Sequence, residues 1–213
     1  MENYLAATDI IDWDNPDVTR KAAELARDQN EPVAIARACF EYVRDQIKHS
    51  FDYQLNPVTC KASDVLKHQT GFCYAKSHLL AALLRANDIP AGLCYQRLTI
   101  DNDQPPYCLH GLNAVHLPDH GWYRIDARGN GKGISAQFNP PLEQLAFPLS
   151  TEGEMDFPEI WPEPLPQVIR VLETQKSYRA VLENLPDIEI INRLWPPESD
   201  PNEQEEPKPC RSI

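Results

Sequence analysis

A cysteine, a histidine and an aspartate in this chain stand in settings suited to acyl-transfer chemistry. Cys73 lies in Gly71-Phe72-Cys73-Tyr74-Ala75-Lys76-Ser77-His78, ahead of Leu79, Leu80, Leu83 and Leu84. Those leucines recur at helical spacing in a segment dense in Ala, Leu, Lys and Arg, which predicts a helix with one heavily apolar face. Thr70 and Gly71 break the preceding pattern and Pro90 marks the stop, so Cys73 falls in or just before the first turn. There it meets unpaired backbone N–H groups and the positive end of the helix dipole, a setting that activates a thiol as a nucleophile.

Such a nucleophile needs a base, and the base needs an acceptor to hold its orientation. The stretch His110 to Leu117 and the stretch Trp122 to Asp126 flank Pro118-Asp119-His120-Gly121, which is turn chemistry, so an antiparallel hairpin is expected. His110 and Asp126 sit at its open ends. Gln69, upstream of Cys73, is a candidate by type for a side-chain amide in an oxyanion hole beside the Cys73 backbone N–H. Cys108, two residues before His110, shares a strand face with it. A redox pairing of Cys73 with Cys108 is therefore a further expectation to test.

These motifs resemble the transglutaminase-like superfamily of papain-related cysteine enzymes. The resemblance rests on Gly-Phe-Cys before a Leu-rich helix ending Asn-Asp-Ile-Pro-Ala-Gly, then His-Gly-Leu-Asn-Ala-Val-His-Leu-Pro, then Gly-Trp-Tyr-Arg-Ile-Asp-Ala-Arg. It runs from roughly Val33 to Asp126 and implies Cys73 as nucleophile, His110 as base and Asp126 as orienting acid. Gly129-Asn130, Phe138-Asn139-Pro140-Pro141 and Leu145-Ala146-Phe147-Pro148 continue the likeness toward small bacterial-type members classed as candidate cysteine proteases. Leu112 and Ala114 depart from it, standing where many members carry an aromatic residue and an acid.

The elements that must position these residues follow in order. Asn15-Pro16 opens a helix to about Asp28, and Glu31-Pro32 opens a second whose stripe includes Ile35, Cys39, Tyr42, Val43 and Ile47. Lys48 to Tyr53 reads as a loop, and Ala62 to Lys67 as a short helix aimed at Cys73. His68 and His78 read as solvated or capping residues. Ala91 to Ile100 reads as a strand and Asp101 to Pro106 as a loop without the glycine and distal glutamate of an EF-hand. Ile134 to Phe138 reads as a strand, Pro141 to Phe147 as a short helix, Ser150 to Pro166 as a surface wrap, and Pro166 to Asn184 as one long amphipathic helix. The expected fold is α+β: a papain-like or transglutaminase-like core with a Cys-bearing central helix packed on an antiparallel sheet. One domain is expected over residues 1–195, its core about 33–148 and its C-terminal helical extension about 164–195. Residues 196–213 form a Pro- and Glu-rich tail with too little apolar surface to order.

Composition bounds the rest. The chain has 213 residues, 42% of them hydrophobic, enough for one buried core. A formal charge of −12 argues against nucleic acid or an anionic membrane surface and suits solubility or a cationic substrate, the substrate class expected from the chemistry being a peptide or protein amide. Met1 to Asn15 lacks the basic start and apolar run of a signal peptide, so a cytoplasmic location and free thiols are expected for the six cysteines. His116 and His120 are separated by Pro118 and a turn, and no metal or other cofactor is expected. The expected activity is a cysteine peptidase or amidase, or transglutaminase-type acyl transfer, through a thioester. The competing class is a non-catalytic interaction module on the same fold.

Overall fold

The computed structural model describes residues 1–101, 104–131 and 133–188. In chain order the elements are α1 (Pro16–Ala26), α2 (Pro32–Gln46), β1 (Lys48–His49), α3 (Ala62–His68), β2 (Thr70–Gly71) and α4 (Cys73–Arg85). Then come β3 (Ala91–Asp101), β4 (Gln104–Leu117), β5 (Gly121–Ile125), β6 (Gln137–Asn139), β7 (Leu142–Gln144), β8 (Met155–Asp156), α5 (Pro166–Thr174) and α6 (Tyr178–Leu182). The fold is α+β. Among the described residues the main sheet is antiparallel, in the order β5-β4-β3-β8. No helix among them is long and apolar enough to cross a membrane.

The organising element is α4. Asn15 caps α1 and proline opens both α1 and α2, so these helices start where missing N–H groups cost least and then pack on α4. Every residue of α4 from Cys73 to Arg85 is buried, so the apolar stripe read from its leucines is an underestimate: the helix is enclosed all round. Burying Leu79, Leu80, Leu83 and Leu84 contributes about 2 kcal/mol each. Polar α4 residues are kept inside by dedicated partners. The Asn113 amide of β4 donates to the Ser77 carbonyl at 2.9 Å and ties helix to sheet. His78, expected in solvent, is fully buried, with Nδ1 2.8 Å from the Cys60 carbonyl, because its face of α4 turns toward the segment entering α3.

Gly111 sets how closely helix and sheet approach. A Cβ there would lie 2.9 Å from Tyr74 Cδ1 and 3.1 Å from Tyr74 Cα. The Tyr74 hydroxyl donates to the Leu109 carbonyl, locking the start of α4 against the strand that carries His110.

Several boundaries differ from the sequence reading. Lys48–His49 is a strand, paired in parallel with Thr70–Gly71. Strand β4 already begins at Gln104, because Asp101 and Gln104 pair across a bulge. Of the expected 134–138 strand only Gln137 and Phe138 are strand, continuing to Asn139, and Leu142–Gln144 is the antiparallel partner instead of helix. The Tyr123 hydroxyl pins this hairpin, donating to the Leu142 carbonyl at 2.9 Å and accepting from the Asn139 N–H at 3.1 Å. The long C-terminal helix is broken: Gln175 is extended, and Ser177 restarts helix as the cap of α6 by accepting from the Ala180 N–H at 3.2 Å. The wrap after Ser150 contributes β8 to the outer edge of β3 and bridges Leu93 through Trp161. The 196–213 tail and the end of the expected extension lie outside the described residues.

Candidate active site

Cys73 is the first residue of α4, with Phe72 as N-cap. The two-residue strand β2 ends at Gly71, so its pairing with β1 fixes the approach of the chain to the helix start. His110 projects from β4, and Asp126 follows directly after β5, whose pairing with β4 sets Ile125 opposite Asn113. The hairpin thereby brings His110 Nε2 to 2.7 Å from Asp126 Oδ2. Nε2 being committed, Nδ1 is the ring nitrogen left for the Cys73 thiol, which is near enough to favour the His110 cation.

Asp126 is fully buried and firmly held: the Arg128 N–H donates to Oδ1 at 3.0 Å and the Ala146 N–H to Oδ2 at 3.1 Å. Burial opposes its charge, but the His110 imidazolium and those N–H donors win, and the carboxyl stays below its usual range. For His110, burial is the largest influence and disfavours the cation. Asp126 and Cys73 together overcome it and push the imidazole up to about 10. The Phe147 ring lies edge-on to His110 with centroids 5.0 Å apart. Side chain, strand and covering loop thus fix the imidazole on three sides.

Gln69 stands elsewhere. It is the left-handed C-cap residue of α3, exposed, and its amide Nε2 donates to the Tyr42 hydroxyl at 3.2 Å and to the Leu66 carbonyl. Three residues separate it from Cys73, but β2 intervenes and turns its side chain to the α2 surface. The position beside the Cys73 amide belongs to His49, which sequence reasoning placed in a loop without a role. The Cys73 N–H donates to His49 Nε2 at 3.2 Å. Since Nε2 accepts, the neutral ring carries its proton on Nδ1, which has no hydrogen-bond partner and lies 3.7 Å from Asp52 Oδ2. Burial, then the charges of Arg128 and Lys76, hold His49 well below the ordinary histidine value, so the ring is neutral.

His49 divides two cavities. On one side is a cleft of about 570 Å³ lined by Cys73, His110 and Cys108 along with many apolar side chains. On the other is a small polar cavity of about 150 Å³ bounded by Asp52, Lys76 and Arg128. Lys76 is buried one turn beyond Cys73 and donates to the Ile47 carbonyl. Burial, then Arg128, lowers it to about 7. Arg128 is closed by a bidentate pair with Asp52 at 2.6 and 3.0 Å. The described cysteines are all free, and burial pushes Cys39, Cys60, Cys94 and Cys108 up to about 12.

Among solved structures, a candidate cysteine protease of Cytophaga hutchinsonii is 18% identical with a TM-score of 0.47, covering 59% of this chain and 40% of that one. The periplasmic domain of TgpA from Pseudomonas aeruginosa is 21% identical with a TM-score of 0.44, covering 59% and 45%. A TGase structure is 20% identical with a TM-score of 0.41, covering 65% and 37%. The chain therefore spans less than half the length of each of these structures. No curated protein matches it in sequence. The family model for the transglutaminase-like superfamily matches residues 19–127, just over half of the chain and nearly the whole stretch from α1 to Asp126. The chain belongs to the transglutaminase-like superfamily.

Proposed function

We propose that this protein is a thiol-dependent acyl-transfer enzyme acting on amide bonds of peptides or proteins. The observation that carries the reading is the His110 Nε2–Asp126 pair lining one cleft with the helix-start Cys73. His110 holds a proton because Asp126 and Cys73 both favour its cation. In the first step, with its thiol proton taken up by His110, the Cys73 sulfur attacks the carbonyl carbon, the S–C bond forms, and His110 passes that proton to the leaving nitrogen as the C–N bond breaks. The products are a free amine and a thioester. In the second step neutral His110 takes a proton from water, the hydroxide oxygen bonds to the carbonyl, the S–C bond breaks, and the acid leaves.

The developing oxyanion takes the Cys73 N–H now directed at His49 Nε2. His49 gives up that N–H when the carbonyl oxygen arrives, and in the tautomer protonated on Nε2 it becomes a second donor. On this reading Gln69 has no part in the chemistry.

Hydrolysis is the favoured outcome over transfer to an amine. Of the nearby carboxylates, Asp52 is paired with Arg128, and Glu154 accepts from Thr99, Ser150 and Thr151, so neither stands free to receive an ammonium group. The test is turnover of capped peptides, with fluorescent cadaverine as competing acceptor, in the parent, Cys73→Ala and His110→Ala. Free acid product that vanishes in Cys73→Ala and falls about a thousandfold in His110→Ala supports the reading. Incorporated amine in place of acid makes the enzyme a transferase. Turnover that survives Cys73→Ala, or none in the parent, overturns the reading in favour of an interaction module.

A further inference from the structure

The reading of Cys73 as nucleophile leaves open what the cleft accepts, and the inference drawn next rests on that reading. We propose that the cleft selects an uncharged, bulky apolar acyl residue and that Leu182 and Leu185, carried by the C-terminal strap, set this preference. The strap comprises α6 and the chain to Ile188. Three contacts hold it over the site. The Tyr178 N–H donates to Asn56 Oδ1 at 2.8 Å. The Leu109 N–H, next to His110, donates to the Pro186 carbonyl at 2.7 Å. Asp187 takes Arg97 in a two-pronged ion pair at 2.7 and 2.8 Å.

So anchored, the strap lays Leu182 and Leu185 along the same cleft as Cys73, together with Leu98, Ile100, Leu109 and Phe147. These are aliphatic and aromatic surfaces, and an apolar substrate group gains by leaving water against them. The charges within reach are already spent. Glu154 accepts five bonds, from the Thr99 N–H at 3.0 Å, the Thr99 hydroxyl at 2.9 Å, the Ser150 N–H at 2.9 Å, the Ser150 hydroxyl at 3.4 Å and the Thr151 N–H at 3.2 Å. Arg128 faces Asp52. A lysyl or glutamyl acyl group would be desolvated there without a partner. The net charge of −12 therefore describes the outer surface and does not make the cleft a cation site.

The test uses acetyl-Gly-Xaa acyloxymethyl ketones with Xaa as Leu, Phe, Lys or Glu, reading the rate of Cys73 labelling by mass spectrometry, each normalised to the iodoacetamide rate of the same protein. The full chain is compared with Leu185→Glu and Leu182→Glu, both at partly exposed positions that tolerate a polar side chain. Expected is labelling by Leu and Phe probes at least about tenfold faster than by Lys and Glu, with the Leu-to-Lys ratio falling about tenfold in either variant. Faster labelling by Lys or Glu in the parent, or a ratio unmoved by both variants, overturns the proposal while leaving Cys73 a nucleophile. Failure of Cys73 to react with iodoacetamide in a His110-dependent way removes the underlying reading, and this proposal with it.

Discussion

At the scale of single residues, burial does more than exposure to decide what each histidine does. His110, His49 and His78 are all enclosed, yet His110 is pushed up to about 10 while His78 is pushed down to about 4 and His49 also falls. The difference is Asp126, which only His110 has. For His78 the folded value lies below the ordinary 6.5, so the unfolded chain binds more protons between 6.5 and about 4 and stability falls as pH drops through that window. His78→Gln is expected to remove up to about 3 kcal/mol of this acid loss, measured as denaturant midpoints across the window, with the His49 part remaining. For His110 the sign reverses: its contribution is complete below 6.5 and is lost as pH rises through about 10. His110→Gln is expected to flatten that alkaline limb. Around the proposed nucleophile, His49→Phe is expected to lower turnover about a hundredfold, His49→Gln by less because an amide can donate, and Gln69→Ala to leave turnover unaltered. The helix-start place of Cys73 and the pairing of His110 with Asp126 are legible in the sequence from residue type and setting. His49 is not, because two-residue parallel strands leave no periodicity and its role depends on β1 meeting β2.

At the scale of elements, periodicity over ten or more residues is the reliable signal. It locates α1, α2, α4 and the β4-β5 hairpin closely. It fails where partners outweigh local preference. Residues 166–184 carry an apolar stripe throughout, but Ser177 caps a new helix and Asn56 takes the Tyr178 N–H, so the helix divides. Residues 141–147 follow the bonds offered by Tyr123 and β6. The spacing between α4 and β4 depends on a residue with no side chain. Gly111→Ala drives a Cβ into the Tyr74 backbone, so the helix start must retreat from the strand that bears His110. The expected result is a loss of about 1 to 3 kcal/mol in stability, and a fall in turnover that persists at temperatures where the variant is fully folded.

At the scale of the molecule, Arg85 is the staple. Fully buried at the end of α4, its guanidinium donates to the carbonyls of Ala6, Ala91 and Pro162, joining the N-terminal segment, β3 and the wrap that follows β8. Arg85→Met orphans these carbonyls and is expected to cost on the order of 3 kcal/mol in denaturant unfolding, a loss that lysine recovers only in part because it lacks the planar fork. The sequence could not show this, since an arginine in the last turn of a helix reads as an ordinary dipole partner. Such tertiary ties, the strap among them, hold the cleft around one sulfur, and that sulfur is the point to measure. Alkylation by iodoacetamide, mapped to each cysteine across about pH 4 to 9 in the parent and in His110→Ala, tests the central claim most directly. The account predicts that Cys73 is modified ahead of Cys39, Cys60, Cys94 and Cys108, whose thiols burial holds at about 12, and that His110→Ala erases the lead. Modification of Cys73 no faster than that of Cys108, or a lead that survives without His110, would contradict it.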